Sequence, residues 1–229
     1  MKDPLWITVL RVIHIASGFA AFFIAPVVLV TVKGGTQHRR WGKVYFWSMA
    51  VVAATALILS LYRPILFLAL VAVFSFYMAF SGYRALYRKH PELGEKATVF
   101  DWVGAGLMFS TGVVLIVLGA VQPTRVWATL STVAVAFGIT AVFFGVRDAV
   151  SFVRTPKDRH FWWYNHMGGM IGSYIAAVSA FSVVNFKFLP TAVRWLWPSA
   201  IGIPAILLGI RYYRRKFNLQ PSRRREVAA

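Results

Sequence analysis

The chain of 229 residues contains no cysteine. That excludes a disulfide framework, thiolate zinc sites, iron–sulfur clusters, covalently attached haem and any cysteine nucleophile. Acids are nearly as scarce, with seven Asp and Glu against 25 Lys and Arg, so few carboxylates are on hand for acid–base work. No His-x-x-x-His motif occurs, which leaves an intramembrane zinc hydrolase without its usual ligand set. Also missing is any polar stretch long enough to bury a soluble core of its own.

What the chain does have is apolar sequence, 59% of all residues. It falls into seven runs, approximately 7–32, 44–62, 65–83, 99–121, 126–146, 162–184 and 192–213. At about 1.5 Å per residue each run spans a hydrocarbon core of about 30 Å. Runs of this length cannot leave backbone groups facing lipid, and a barrel would show alternating segments of about ten residues, so helices are expected. The fold class is therefore all-α, a polytopic membrane protein of seven transmembrane helices. The first run is too long for the apolar part of a signal peptide and is kept as a helix. Residues 1–213 form one domain, and 214–229 a basic tail without regular structure.

Lys and Arg sort by side. Alternate connections (33–43, 84–96, 147–159 and the chain from 211 onward) hold nineteen; the remaining turns and the N-terminus hold six. The positive-inside rule then puts the N-terminus outside and the C-terminus in the cytoplasm. A net charge of +18 would suggest nucleic acid in a soluble protein, but cations that flank apolar spans on one side point to anionic inner-leaflet lipid as partner, with no nucleic acid. A homo-oligomer or a membrane partner is compatible with this layout.

All nine tryptophans lie near span ends, as an interfacial belt requires. In the sixth run Gly168 and Gly172, beside Gly169, Ser173 and Ala177, form a ridge of small residues that admits a close neighbour. Ser17, Ala21 and Ala25 of the first run are its expected partner. Pro198, Gly202 and Pro204 predict a kink in the seventh.

Ionisable groups near hydrocarbon are the candidates for function. Asp101 also fits a capping box with Thr98. Asp148 ends the fifth helix, where the macrodipole is already negative, so it needs a cation, with Arg84 and Arg147 in reach. His166, Met170 and Tyr174 share a face of the sixth helix. Residues 33–43, with Gly34, Gly35, His38, Arg39 and Arg40, read as a glycine-containing loop able to offer amides and cations to a phosphate or carboxylate. Haem ligation by His14 and His166 fails on depth, since they lie about 20 Å apart across the membrane at the helical rise. An inner-side set of His38, His160 and His166 falls among basic residues unfavourable to a cation, and no metal site is expected.

His14 followed by Gly18, the stretch His38-Arg39-Arg40-Trp41-Gly42-Lys43-Val44-Tyr45, Phe74-Ser75-Phe76-Tyr77 with Ser81-Gly82-Tyr83-Arg84, and the segment from His166 to Asn185 together resemble a family of bacterial multi-pass membrane proteins known as domain of unknown function 2306. The resemblance implies a multi-helix protein of the bacterial cytoplasmic (inner) membrane and carries no activity with it. The residues lead to a polar pocket at the cytoplasmic ends of helices three to six. Arg84, Asp101, Asp148, His166 and His38 would line it, Arg84 and Arg39 would attract charge, and Asp148 and His166 would exchange a proton, with Tyr174 deeper along the same face. Handling of a small anionic ligand or lipid headgroup, by transport or sensing, is the expected function. The alternatives are a redox protein carrying non-covalent haem b or quinone, and a structural subunit of a membrane assembly.

Overall fold

Each apolar run folds as a helix in the computed structural model, which describes residues 3–154 and 156–218. The helices are α1 (Leu5–Val30), α2 (Thr36–Tyr62), α3 (Leu66–Arg84), α4 (Val99–Val121), α5 (Arg125–Val153), α6 (Phe161–Asn185) and α7 (Thr191–Asn218). All seven are long and apolar enough to cross a membrane, and among the described residues there is no strand. Short 3-10 turns at Ala85–Tyr87 and Pro91–Leu93 lead from α3 to α4.

Several helices outrun their apolar stretches. α2 begins eight residues before the apolar run, α5 continues to Val153, and α7 reaches Asn218. Hydropathy marks where the hydrocarbon ends, but a helix satisfies its backbone just as well in water. The expected loop 33–43 is therefore mainly helix. Its glycine turn shrinks to the few residues before Thr36, with Gly34 at φ +76° and Gly35 as N-cap. The first residues of the expected tail are helical too, and 219–229 lie outside the described residues.

α3 is the central helix, packed against α2, α4, α5 and α6. Its crossing with α6 is set by two glycines. A Cβ on Gly82 would lie 2.9 Å from the Met170 nitrogen, and one on Gly169 would lie 2.7 Å from both Gly82 Cα and the Met78 oxygen. Gly169 and Gly172 of the α6 ridge thus receive α3, while Gly168 meets Ile206 of α7. The expected α1–α6 contact forms at the other part of the ridge, where Ala177 joins Ala21 and Ala25 in one apolar cluster and Phe22 stacks on Phe181 with ring centres 4.6 Å apart. Glycines also close α4 on α5, where Gly112 and Gly138 each meet the other's carbonyl.

Two tryptophans leave the expected belt. Trp127 and Trp195 are buried against Phe67, edge to face. α7 runs through Pro198 and Pro204 as one helix rather than a broken one.

Side-chain contacts sort the two ends of the bundle. Asp3 accepts from Arg11 (2.6 Å) and Arg63 (2.9 Å), tying the N-terminus to the α2–α3 turn. The α1–α2 turn, the end of α3 and the start of α6 meet at the opposite, basic end. Arg11 first and Arg63 second hold the Asp3 carboxyl below its ordinary value. A carboxylate with a depressed folded pKa stabilises the fold fully above its unfolded value, about 3.9, and progressively less as pH falls through the folded one. Asp3→Asn is expected to lower the Tm slightly at pH 7, with the difference from wild type closing below about pH 4, as thermal scans in detergent would record.

Candidate functional site

The two buried acids, Asp101 and Asp148, sit in closed clamps. Asp101 accepts from Arg84 Nε (2.9 Å) and Nη2 (2.7 Å), and from the Thr98 amide and hydroxyl, both at 2.8 Å. The capping box at the start of α4 is thereby complete. Asp148 Oδ1 accepts from Arg147 Nε (2.9 Å) and Nη2 (2.6 Å), and Oδ2 from the Tyr77 hydroxyl (2.7 Å) and from Ser81. Both carboxylates are buried and fully occupied. Of the two cations in reach, Arg147 pairs with Asp148, while Arg84 goes to Asp101.

Arg88, which the sequence reading passed over, lies between the clamps. Its Nε is 4.0 Å from Asp101 Oδ1 without a hydrogen bond, and its guanidinium stands 4.4 Å over the Phe152 ring. Tyr77 and Ser81 were also missed as partners of Asp148. Their i, i+4 spacing on one face of α3 was the available signal.

His166 does not meet Asp148. Its Nδ1 donates to the Gly82 carbonyl at 2.9 Å, across the glycine crossing of α3 and α6. The proton exchange expected between them has no hydrogen bond to run through. His14 is committed elsewhere, its Nδ1 lying 3.0 Å from Thr55 Oγ1 and 3.2 Å from the Val52 carbonyl. Tyr174 packs beside Phe22, ring centres 6.1 Å apart.

The open space lies next to the clamps. A cavity of about 380 Å³ is bounded by the end of α1, the start of α2, the turn after α3 and the first turns of α6. It takes in His38, Arg39 and His166 of the expected set, but not Arg84, Asp101, Asp148 or Tyr174. Its walls are Val28, Leu29, Tyr83, Leu86, Trp162, Trp163, Met167, Met170 and Ile171. Lys33, Arg39, Lys43 and Lys89 stand on its lining, and none has an acid partner among the described residues. The helical start of α2 brings the neighbours His38 and Arg39 to this wall, with Lys43 one turn beyond Arg39. No family model, curated protein or solved structure matches the chain.

Three features of the cavity call for an anion. Burial pushes the Lys33 ammonium below its ordinary value, a cost that a negative group beside it would offset. α2 starts without a side-chain cap and with no acid in its first turn, so its leading amides and dipole are unmatched. The Trp163 indole N–H is buried without an acceptor, and such orphans are uncommon.

Proposed function

We propose that this protein is a seven-helix protein of the bacterial cytoplasmic membrane, N-terminus outside, that binds an amphiphile with an acidic head through this cavity. The observation that carries the reading is four cations without an acid partner among the described residues on the lining of an otherwise apolar chamber, Lys33 donating only to the Val28 and Leu29 carbonyls and Lys89 standing over the Trp162 ring. The head sits against Lys33, Arg39, Lys43 and Lys89, and the apolar body lies along the tyrosine, tryptophan and methionine walls. Pockets of this volume suit single small ligands. Anionic lipid of the inner leaflet reaches the basic end directly if the nineteen cations mark the cytoplasmic side. Capture of such a molecule serves either its transport or its sensing. The clamps at Asp101 and Asp148 hold the frame around it.

The test is native mass spectrometry of protein purified in mild detergent, followed by titration with phosphatidic acid read by quenching of tryptophan fluorescence. Each cation near an anionic head contributes about 1 kcal/mol. Arg39→Gln with Lys43→Gln is therefore expected to weaken binding roughly thirtyfold. Equal quenching by a neutral lipid of the same chain length, with no anionic molecule retained on purification, would rule the reading out.

A further inference from the structure

We propose that the acidic amphiphile is an iron porphyrin, held by His38 and His166 as its two axial ligands. The proposal rests on the reading of the cavity as an anionic-amphiphile site and names the occupant. The sequence argument against a haem concerned His14 and His166, which lie at different depths. Extension of α2 beyond its apolar run puts His38, not His14, beside His166.

The two imidazole rings have their centres 6.3 Å apart and their planes at 71°. Two imidazoles bound trans to one metal at about 2.0 Å place their ring centres roughly 6.3 Å apart. The angle between planes is no obstacle, because each ring turns freely about its own metal–nitrogen bond. Each ring also keeps one nitrogen with a lone pair for a metal. His38 Nδ1 lies 3.2 Å from the Val28 carbonyl and His166 Nδ1 lies 2.9 Å from that of Gly82. A carbonyl can only accept, so Nδ1 carries the proton in each ring and Nε2 keeps its lone pair. This is the outer support that metal-binding histidines ordinarily have. Among the described residues neither Nε2 takes a hydrogen bond.

Charge and ligand count separate a porphyrin from a bare ion. No group of three His, Cys, Asp or Glu side chains able to hold a metal occurs among the described residues, and a bare zinc needs three or four protein ligands. A porphyrin brings four nitrogens of its own and needs only two more. Lys33, Arg39, Lys43 and Lys89 would repel a bare cation, but they match the two propionates of a haem. The orphan Trp163 N–H is a further donor for such a carboxylate. Tyr83, Trp162 and Met170 supply flat or pliable apolar surface for the macrocycle.

The experiment is titration of the purified full chain with hemin, followed by visible absorption and electron paramagnetic resonance, alongside the phosphatidic acid titration. The expected result is one hemin per chain with a six-coordinate, low-spin signal. His38→Ala and His166→Ala each abolish that signal, and added imidazole restores it in either variant, which a merely unfolded protein would not allow. His90→Ala leaves it intact. Binding of phosphatidic acid without a low-spin hemin signal would overturn the porphyrin and leave the broader reading standing; binding of neither would overturn both. A hemin signal unchanged by either histidine substitution would mark adventitious partition and also overturn the proposal.

Discussion

Gly169→Ala is expected to destabilise the bundle by about 2 kcal/mol, and Gly169→Leu to prevent its assembly. The new Cβ would stand 2.7 Å from Gly82 Cα and from the Met78 carbonyl oxygen, both backbone atoms that cannot turn aside. α3 and α6 must separate. Overpacking of this kind costs about 1–3 kcal/mol or more, offset by up to about 1 kcal/mol from the better helix propensity of alanine. The same separation stretches the His166–Gly82 hydrogen bond, so the cavity wall moves with the frame. Gly106→Ala is the matched control, since a Cβ there meets nothing within 4 Å and should stabilise α4 slightly. Unfolding in mixed micelles, with the denaturant midpoint compared across these variants, measures the difference. Equal midpoints for Gly169→Ala and Gly106→Ala would mean that α3 and α6 do not cross through these glycines.

How much of this was legible depended on whether the signal was periodic or pairwise. Long apolar runs and the sorting of cations needed only composition along the chain, and the spans of α1, α3, α4 and α6 fall within two or three residues of their runs. The start of α2 was not legible that way, because His38, Arg39 and Arg40 are polar and the hydropathy signal stops at the lipid boundary while the helix does not. That one extension converts an expected loop into a cavity wall. The capping box at Thr98 and Asp101 was legible because it is a local pattern with a fixed spacing. By contrast, which ridge α6 presents to which neighbour is a tertiary choice among several small-residue faces. Ser17, Ala21 and Ala25 were the expected partners of the α6 ridge, and the closer backbone approach permitted by Gly82 facing Gly169 brings α3 onto the ridge as well. The candidate site divided in the same way. Asp148 announced a need for a cation, and Arg147 met it, but the hydroxyls of Tyr77 and Ser81 come from a helix whose facing residues no local pattern specifies. Arg88 had no signal beyond its charge.

Asp148→Leu is expected to be the most damaging single substitution in the chain outside the glycines, at about 3–5 kcal/mol. The carboxylate is 1% exposed and takes four hydrogen bonds from three side chains on α3 and α5. Leucine would leave the buried Tyr77 and Ser81 hydroxyls without their acceptor and the partly exposed Arg147 guanidinium without its carboxylate. Arg147→Leu should cost less, because that side chain is 29% exposed, and because Tyr77 and Ser81 still hold the carboxylate. Tyr77→Phe removes one bond of four and is expected to cost about 1–2 kcal/mol. The ordering Asp148→Leu, then Arg147→Leu and Tyr77→Phe, follows from how many buried groups each change strands. Replacing all four together, Tyr77→Phe, Ser81→Ala, Arg147→Leu and Asp148→Leu, strands none of them and should recover most of the loss, as apolar replacements of buried ion pairs commonly do. Denaturation midpoints of the five proteins decide the matter. If Asp148→Leu alone unfolds with the wild type, the clamp is wet and does not brace α3 against α5. If the quadruple variant stays as unstable as Asp148→Leu, the cluster contributes through its packing and not through its hydrogen bonds.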